Sequence, residues 1–256
     1  MITSLRNFTC MLLACLLCHS LIAQNDSLNT SQWKYKLGPY LLFPSMNGDV
    51  AIRGILSDVD VDSGDIFSNL DFGMMLVAEA SNDQWTIAFD LLYMDLGQEG
   101  TTPLASRRSE VDIKQLAIQL GGYYRITNWL EAGVGGRFNS LKSTVEIAPG
   151  EYILPGSKFE MTESWFDPLI MARAITQINN SNWRLGIIAD IGGFGVGSDF
   201  SWQFNPFVSY SVAKWLNIAA AYRWIHMNYD TGTGTDYFLY DMLISGPEIG
   251  FIFKFN

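Results

Sequence analysis

Hydrophobic and polar residues alternate with a period of two through most of the chain. Over residues 84–96 one parity carries Trp85, Ile87, Phe89, Leu91 and Tyr93, and the other carries Thr86, Ala88, Asp90, Leu92 and Met94. Residues 115–124 set Leu116, Ile118, Leu120 and Tyr124 against Gln115, Ala117, Gln119 and Gly121. Residues 202–212 set Trp202, Phe204, Pro206, Val208, Tyr210 and Val212 against Gln203, Asn205, Phe207, Ser209 and Ser211. Successive side chains of a strand point to opposite faces, so each segment predicts a strand with one greasy face and one mixed face. Strands are expected at about 33–44, 71–81, 84–96, 109–126, 129–147, 163–178, 182–192, 200–213, 215–228 and 240–255. That is ten, with eight or twelve as the neighbouring even counts.

The connections decide what covers the greasy face. Short ones lie at Ser81-Asn82-Asp83, Ile126-Thr127-Asn128, Asn179-Asn180-Ser181-Asn182 and Val212-Ala213-Lys214. Longer polar or Gly-rich stretches at about 45–70, 97–108, 148–162, 193–200 and 229–239 alternate with them. Strict alternation of short and long is the rhythm of an outer-membrane barrel, with short turns in the periplasm and long loops outside. Residues 49–57 have strand character, but an eleventh crossing would make the count odd, so they are read as an excursion on the first external loop. Tryptophan sorts the same way. Trp33, Trp85, Trp129, Trp183 and Trp215 stand at or beside strand starts, and Trp165, Trp202 and Trp224 near strand ends beside long loops. Two aromatic belts, one per membrane interface, account for that sorting, although Trp129, Trp165 and Trp215 have inward parity. The fold class is thus all-β: an antiparallel up-and-down transmembrane β-barrel of a Gram-negative outer membrane.

Composition narrows the chemistry. Arg6 followed by an apolar run from Phe8 to Ile22, with Ala23 before Gln24-Asn25, predicts a signal peptide at 1–23. Leu12-Leu13-Ala14-Cys15 has the shape of a lipobox and is the competing reading. A short periplasmic segment at 24–32 and a barrel at 33–256 would follow. Cys10, Cys15, Cys18 and His19 all fall in the signal, so the mature chain has no thiol and one histidine, His226. That excludes a Cys-based site or a zinc cage, and no cofactor signature stands in the chain. The formal charge of −10 argues against a nucleic-acid partner.

By parity the inward face holds Lys34, Lys36, Glu79, Asp90, Glu131, Arg137, Asp167, Arg173, Arg184, Asp190, Arg223 and Glu248. Six acids and six bases permit complete pairing, which a narrow interior demands. A salt-bridge network plugging the lumen is the expectation, and a narrow channel with a charged lining is its alternative. Gly193-Phe194-Gly195-Val196-Gly197 has no helix after it and predicts a tight loop rather than a phosphate cradle. The acidic run Asp58 to Asp65 has Ser63 where a calcium-binding EF-hand needs glycine, which leaves at most a loose divalent-ion site. His226, with Ser198 and Asp199 on a neighbouring loop, is the one combination that could form a catalytic triad at the rim.

Two sets of residues resemble known patterns. Glu248-Ile249-Gly250-Phe251-Ile252-Phe253-Lys254-Phe255 resembles the β-signal read by the barrel-assembly machinery, with Gly250, Phe253 and Phe255 at its defining positions and Asn256 after them. Trp33-Lys34-Tyr35-Lys36-Leu37-Gly38-Pro39-Tyr40, Trp165-Phe166-Asp167-Pro168 and the run from Asp190 to Trp202 resemble a pattern shared by small barrels of the OmpA/OmpW-like group. The resemblance implies architecture and outer-membrane location, and no activity. Its partners would be outer-membrane lipid, lipopolysaccharide and, during biogenesis, the assembly machinery. The expected role is a non-enzymatic structural or narrow-passage component. A channel or transporter for small solutes and a lipid-modifying enzyme are the alternatives.

Overall fold

The computed structural model describes residues 32–101, 108–147, 157–179 and 181–255. The expected signal peptide and its cleavage point lie outside them. The elements are β1 (Lys34–Leu42), β2 (Ser45–Ile52), β3 (Ile55–Val61), α1 (Ser63–Ser68), β4 (Leu70–Ser81), β5 (Trp85–Thr101), β6 (Arg108–Arg125), β7 (Leu130–Ile147), β8 (Ser157–Gln177), β9 (Trp183–Gly193), β10 (Phe200–Ala213), β11 (Leu216–Thr231) and β12 (Phe238–Phe255). Strands β4 to β12 pair antiparallel in sequence order, β1 pairs with β4, and β1 returns to β12. Ten strands therefore close on themselves. Closure gives every ladder a partner, which is what lets a sheet stand in lipid.

The segment expected as a loop excursion is a hairpin built on β12. The β1–β4 ladder ends at Pro39↔Leu76. Pro39 has no N–H to donate, and that gap falls on the β12 side, where the ladder skips from Leu37↔Phe253 to Tyr40↔Gly250 without changing register. On that edge the chain keeps one register along β12. Leu42↔Glu248 in β1 is followed by Ser45↔Ser245 in β2, in the same register. The free edge of β2 is then taken by β3, through a turn whose central residues Arg53 and Gly54 both have positive φ, 54° and 75°. Two left-handed residues make the tight turn that matches strand twist. The hairpin widens the wall at one end without adding a crossing, so the parity of the count is kept. Helix α1 leads back to β4. Asp62 caps it by accepting the Asp65 N–H at 2.9 Å, Ile66 is buried, and Phe67 stacks on Phe43 with centroids 4.7 Å apart.

Strands β5 to β8, β11 and β12 run 16 to 21 residues. A tilted strand needs about 9–11 to cross the hydrocarbon. The surplus lies at the long-loop end, and there the polarity of the wall inverts. Near the short turns Phe251 and Phe253 of β12 face outward while Glu248 faces inward. Further along, Asp241 faces outward while Tyr240 and Met242 are buried inside. Strand β5 changes from outward Ile87 and Phe89 to outward Asp95, which pairs with outward Lys114 of β6 at 2.7 Å. Outward Lys142 and Glu160 pair likewise across β7 and β8 at 3.9 Å. The inversion marks where strands leave lipid for water.

Inside the projecting part sits an apolar core. Trp165, Ile225, Met227, Phe238, Tyr240, Met242 and Ile244 are buried together, with Met46, Val50, Ile52 and Val59 of the β2–β3 hairpin packed on them. A second cluster, Tyr40, Leu42, Met75, Leu92 and Met94, lies where β1 parts from β4. Each fully buried side chain of this size contributes about 1.5–3 kcal/mol.

Candidate functional site

The inward residues of the membrane-crossing half form four connected groups. Nearest the short turns, Lys36 Nζ lies 2.6 Å from Glu79, and Arg173 bridges Glu79 at 2.6 Å to Glu131, which also holds Arg125 at 3.0 Å. Arg173 further donates to Thr86 Oγ1 at 3.0 Å and lies over the Tyr123 ring. Next, Arg223 stands between Asp90 at 2.8 Å and Glu248 at 2.9 Å, with the Tyr40 hydroxyl donating to Asp90 at 2.7 Å. Third, Arg137 reaches Asp190 at 2.8 Å and makes two bonds to Gln119 Oε1 at 3.1 and 2.8 Å. The Arg137–Asp190 pair is almost entirely shielded from solvent, at 3% and 0% side-chain exposure.

The fourth group has no cation. Asp167 is fully buried and accepts the Ser198 N–H at 2.6 Å, the Ser198 hydroxyl at 3.0 Å and Asn139 Nδ2 at 3.3 Å. Ser198 belongs to the β9–β10 connection, which folds inward to reach it. Two glycines permit that fold. Gly193 has φ of 87°, and a Cβ on Gly197 would collide with the Phe166 carbonyl. The Trp165-Phe166-Asp167-Pro168 motif and the Gly-rich run are thus two sides of one contact.

Complete pairing of six acids with six bases is therefore corrected. Five acids meet Lys36, Arg125, Arg137, Arg173 and Arg223, and the sixth, Asp167, is held by neutral donors. Among the described residues, Lys34, Arg184 and Lys254 have no carboxylate within ion-pair distance. Arg125 and Lys254 stand outside the inward set expected from the sequence because both lie at strand rims, although each has inward parity. The amides Gln119, Asn139, Gln203 and Asn205 share that parity, which was the available signal. Arg184, Lys36, Glu79, Arg173, Arg223 and Glu248 line a cavity of about 220 Å³ in the same half of the barrel, with Ile175, Ile188 and Ile252.

Other expected features fall as follows. Trp33, Trp85, Trp183, Trp129 and Trp215 are exposed at the short-turn end, the last two at 55% and 57%. Trp129 and Trp215 sit in the turns just before β7 and β11 and so escape the inward parity, with Trp215 stacked on Phe253. Trp202 and Trp224 face outward near the other end, Trp202 against His226 and Trp224 against Tyr222. Trp165 is not part of a belt. It is 6% exposed and stacked on Tyr229 at 4.4 Å inside the apolar core, because β8 runs regularly and keeps its inward parity. The rim triad is also corrected. His226 Nε2 lies 3.0 Å from Asp241 on the outer face of the wall, whereas Ser198 is buried inside it. Of the acidic run, Val59 packs inward, Asp58 and Asp60 have the opposite parity, and Asp62 is occupied as a helix cap. No metal-binding group of three acidic, His or Cys side chains forms among the described residues. Gly250 and outward Phe253 and Phe255 stand in β12 beside β1.

A closed antiparallel barrel of ten strands, greasy outside over one membrane thickness and charged within, defines an outer-membrane β-barrel protein. No family model and no curated protein matches the chain. Solved structures do. The outer membrane protease OmpT from Escherichia coli is similar at 7% identity over 88% of this chain and 98% of its own, with a TM-score of 0.51. The translocator domain of autotransporter NalP from Neisseria meningitidis gives 12%, 94%, 96% and 0.44. The attachment invasion locus protein Ail of Yersinia pestis gives 11%, 88%, 100% and 0.40. At these identities the likeness is one of fold. The protein belongs to the outer membrane, as that fold does.

Proposed function

We propose that the protein is a non-conducting, non-enzymatic structural barrel of the outer membrane, with its short turns in the periplasm. The observation that carries this reading is the apolar core across the outer half of the lumen. Phe238, Tyr240, Met242, Met227, Leu42 and Met94 are each at most 2% exposed. An ion crossing that layer would give up its hydration to a mainly apolar wall, whose few polar atoms include the Tyr240 hydroxyl, bonded to the Gln115 amide. Catalysis at the rim finds no support, since His226 and Ser198 lie on opposite faces of the wall. Outer-membrane lipid and lipopolysaccharide are the natural contacts of the two aromatic zones. The motif pair joined at Asp167 and Ser198 supports a place in the OmpA/OmpW-like small-barrel group.

Planar-bilayer recording tests the reading. The refolded protein should be silent, and Tyr240→Gly with Met242→Gly should open steps of conductance by removing two layers of the core. Stepwise conductance in the unaltered protein would refute the closed barrel.

A further inference from the structure

We infer that the inner half of the lumen is a binding site for a small organic anion arriving from the periplasm. The first observation is a local excess of positive charge in a chain of net charge −10. Lys34, Arg184 and Lys254 all have inward parity at the short-turn end, and no carboxylate pairs with any of them among the described residues. The second is the ladder itself. Lys36 and Lys254 stand directly opposite each other across β1 and β12. Like charges in that position repel and destabilise a sheet. Glu79 answers Lys36, and among the described residues no carboxylate answers Lys254. A barrel that pairs five other inward bases so closely leaves these cations unmatched at one place.

The third observation is the space that Arg184, alone of the three, borders. Arg184 and Lys36 line the 220 Å³ cavity, whose remaining wall is partly apolar through Val77, Ile175, Ile188 and Ile252. Pockets for drug-sized ligands run about 300–1,000 Å³, so this one admits a small molecule and no lipid. A guanidinium suits a carboxylate, which it can meet with two parallel N–H bonds. An apolar body would then lie against the isoleucines. The apolar core beyond closes the far end, so the ligand enters and leaves on the short-turn side. The site rests on the inner half alone, and its test is separate from the conductance measurement.

Calorimetric titration of the refolded protein in lipid nanodiscs provides that test. Sodium benzoate is the probe, with benzamide as its neutral counterpart and inorganic phosphate as an anion lacking the apolar body. Benzoate should bind saturably; benzamide should bind at least about ten-fold more weakly because it loses a charge-assisted contact, and phosphate likewise because it has no apolar body to lie against the isoleucines. Arg184→Gln should weaken benzoate by about ten- to a hundred-fold on the same scale. Melting of the ligand-free variant should stay unchanged or rise, because an unmatched cation is gone. Benzoate titrating identically on the Arg184→Gln/Lys254→Gln double variant would overturn the site. So would phosphate binding as tightly as benzoate, or an unaltered protein that binds no benzoate.

Discussion

Arg137 is the best place to measure how dry the middle of the lumen is. It is 2% exposed and holds Asp190 at 2.8 Å and Gln119 through two bonds. Arg137→Met keeps an unbranched apolar stem, two heavy atoms shorter, and removes every polar contact. Asp190 then retains only the Gln119 amide at 3.2 Å, and the Gln119 carbonyl loses both of its donors. One half-satisfied buried carboxylate and one orphaned acceptor result. Breaking a buried pair in this way costs about 3–5 kcal/mol. Taking out the partner as well, in Arg137→Met/Asp190→Leu, should recover at least about half of that loss, since an apolar replacement of a buried pair is often neutral. Urea unfolding in lipid vesicles, followed by tryptophan fluorescence and extrapolated to zero denaturant, gives both numbers. If water reached the pair, it would solvate the stranded carboxylate, and the single change would cost less than about 1 kcal/mol, as at a surface ion pair. A loss that small, with no recovery in the double variant, would refute the dry network.

Two further outcomes are expected. An epitope inserted between Arg53 and Gly54, in the β2–β3 turn, should be labelled on intact cells, while one after Ser181 should be labelled only once the outer membrane is opened; the reverse pattern would invert the orientation. Phe255→Ala should lower the amount of folded barrel in cells far more than it lowers stability after refolding, because one exposed ring is worth at most about 1–3 kcal/mol while recognition by the assembly machinery reads the motif whole; normal cellular levels would show that Gly250, Phe253 and Phe255 are not that motif.

The strand pattern was legible because alternation is local. Outward Leu120 and inward Gln119 differ by one position, and no tertiary knowledge is needed to separate them. The hairpin at 45–61 was half legible. Its strand character was plain, but its partner was not, because the register that carries β1 into β2 is set on β12, some two hundred residues away. The same distance hid the pairings. Glu79 and Arg173 are 94 positions apart, and only the circumference of a ten-stranded barrel brings them within 2.6 Å. Trp165 failed for another reason. A tryptophan near a strand end reads as an interface residue, yet that strand projects beyond the membrane, where an inward indole is simply core.

That projection explains the two kinds of filling in the lumen. Where a strand crosses lipid, its outward face must be apolar. If its inward face were apolar too, a slip of one residue would exchange the faces at little energetic cost. Charged inward residues such as Glu79, Asp90, Arg137 and Arg223 forbid that exchange, since each would be stranded in hydrocarbon. Once the same strands emerge into water the constraint reverses. Asp95, Lys142 and Asp241 now face out, and Met94, Leu141 and Met242 can pack inside as they would in a soluble sandwich. The apolar core in the outer half of the lumen therefore stands beyond the lipid, where the strand register no longer depends on the membrane to tell one face from the other.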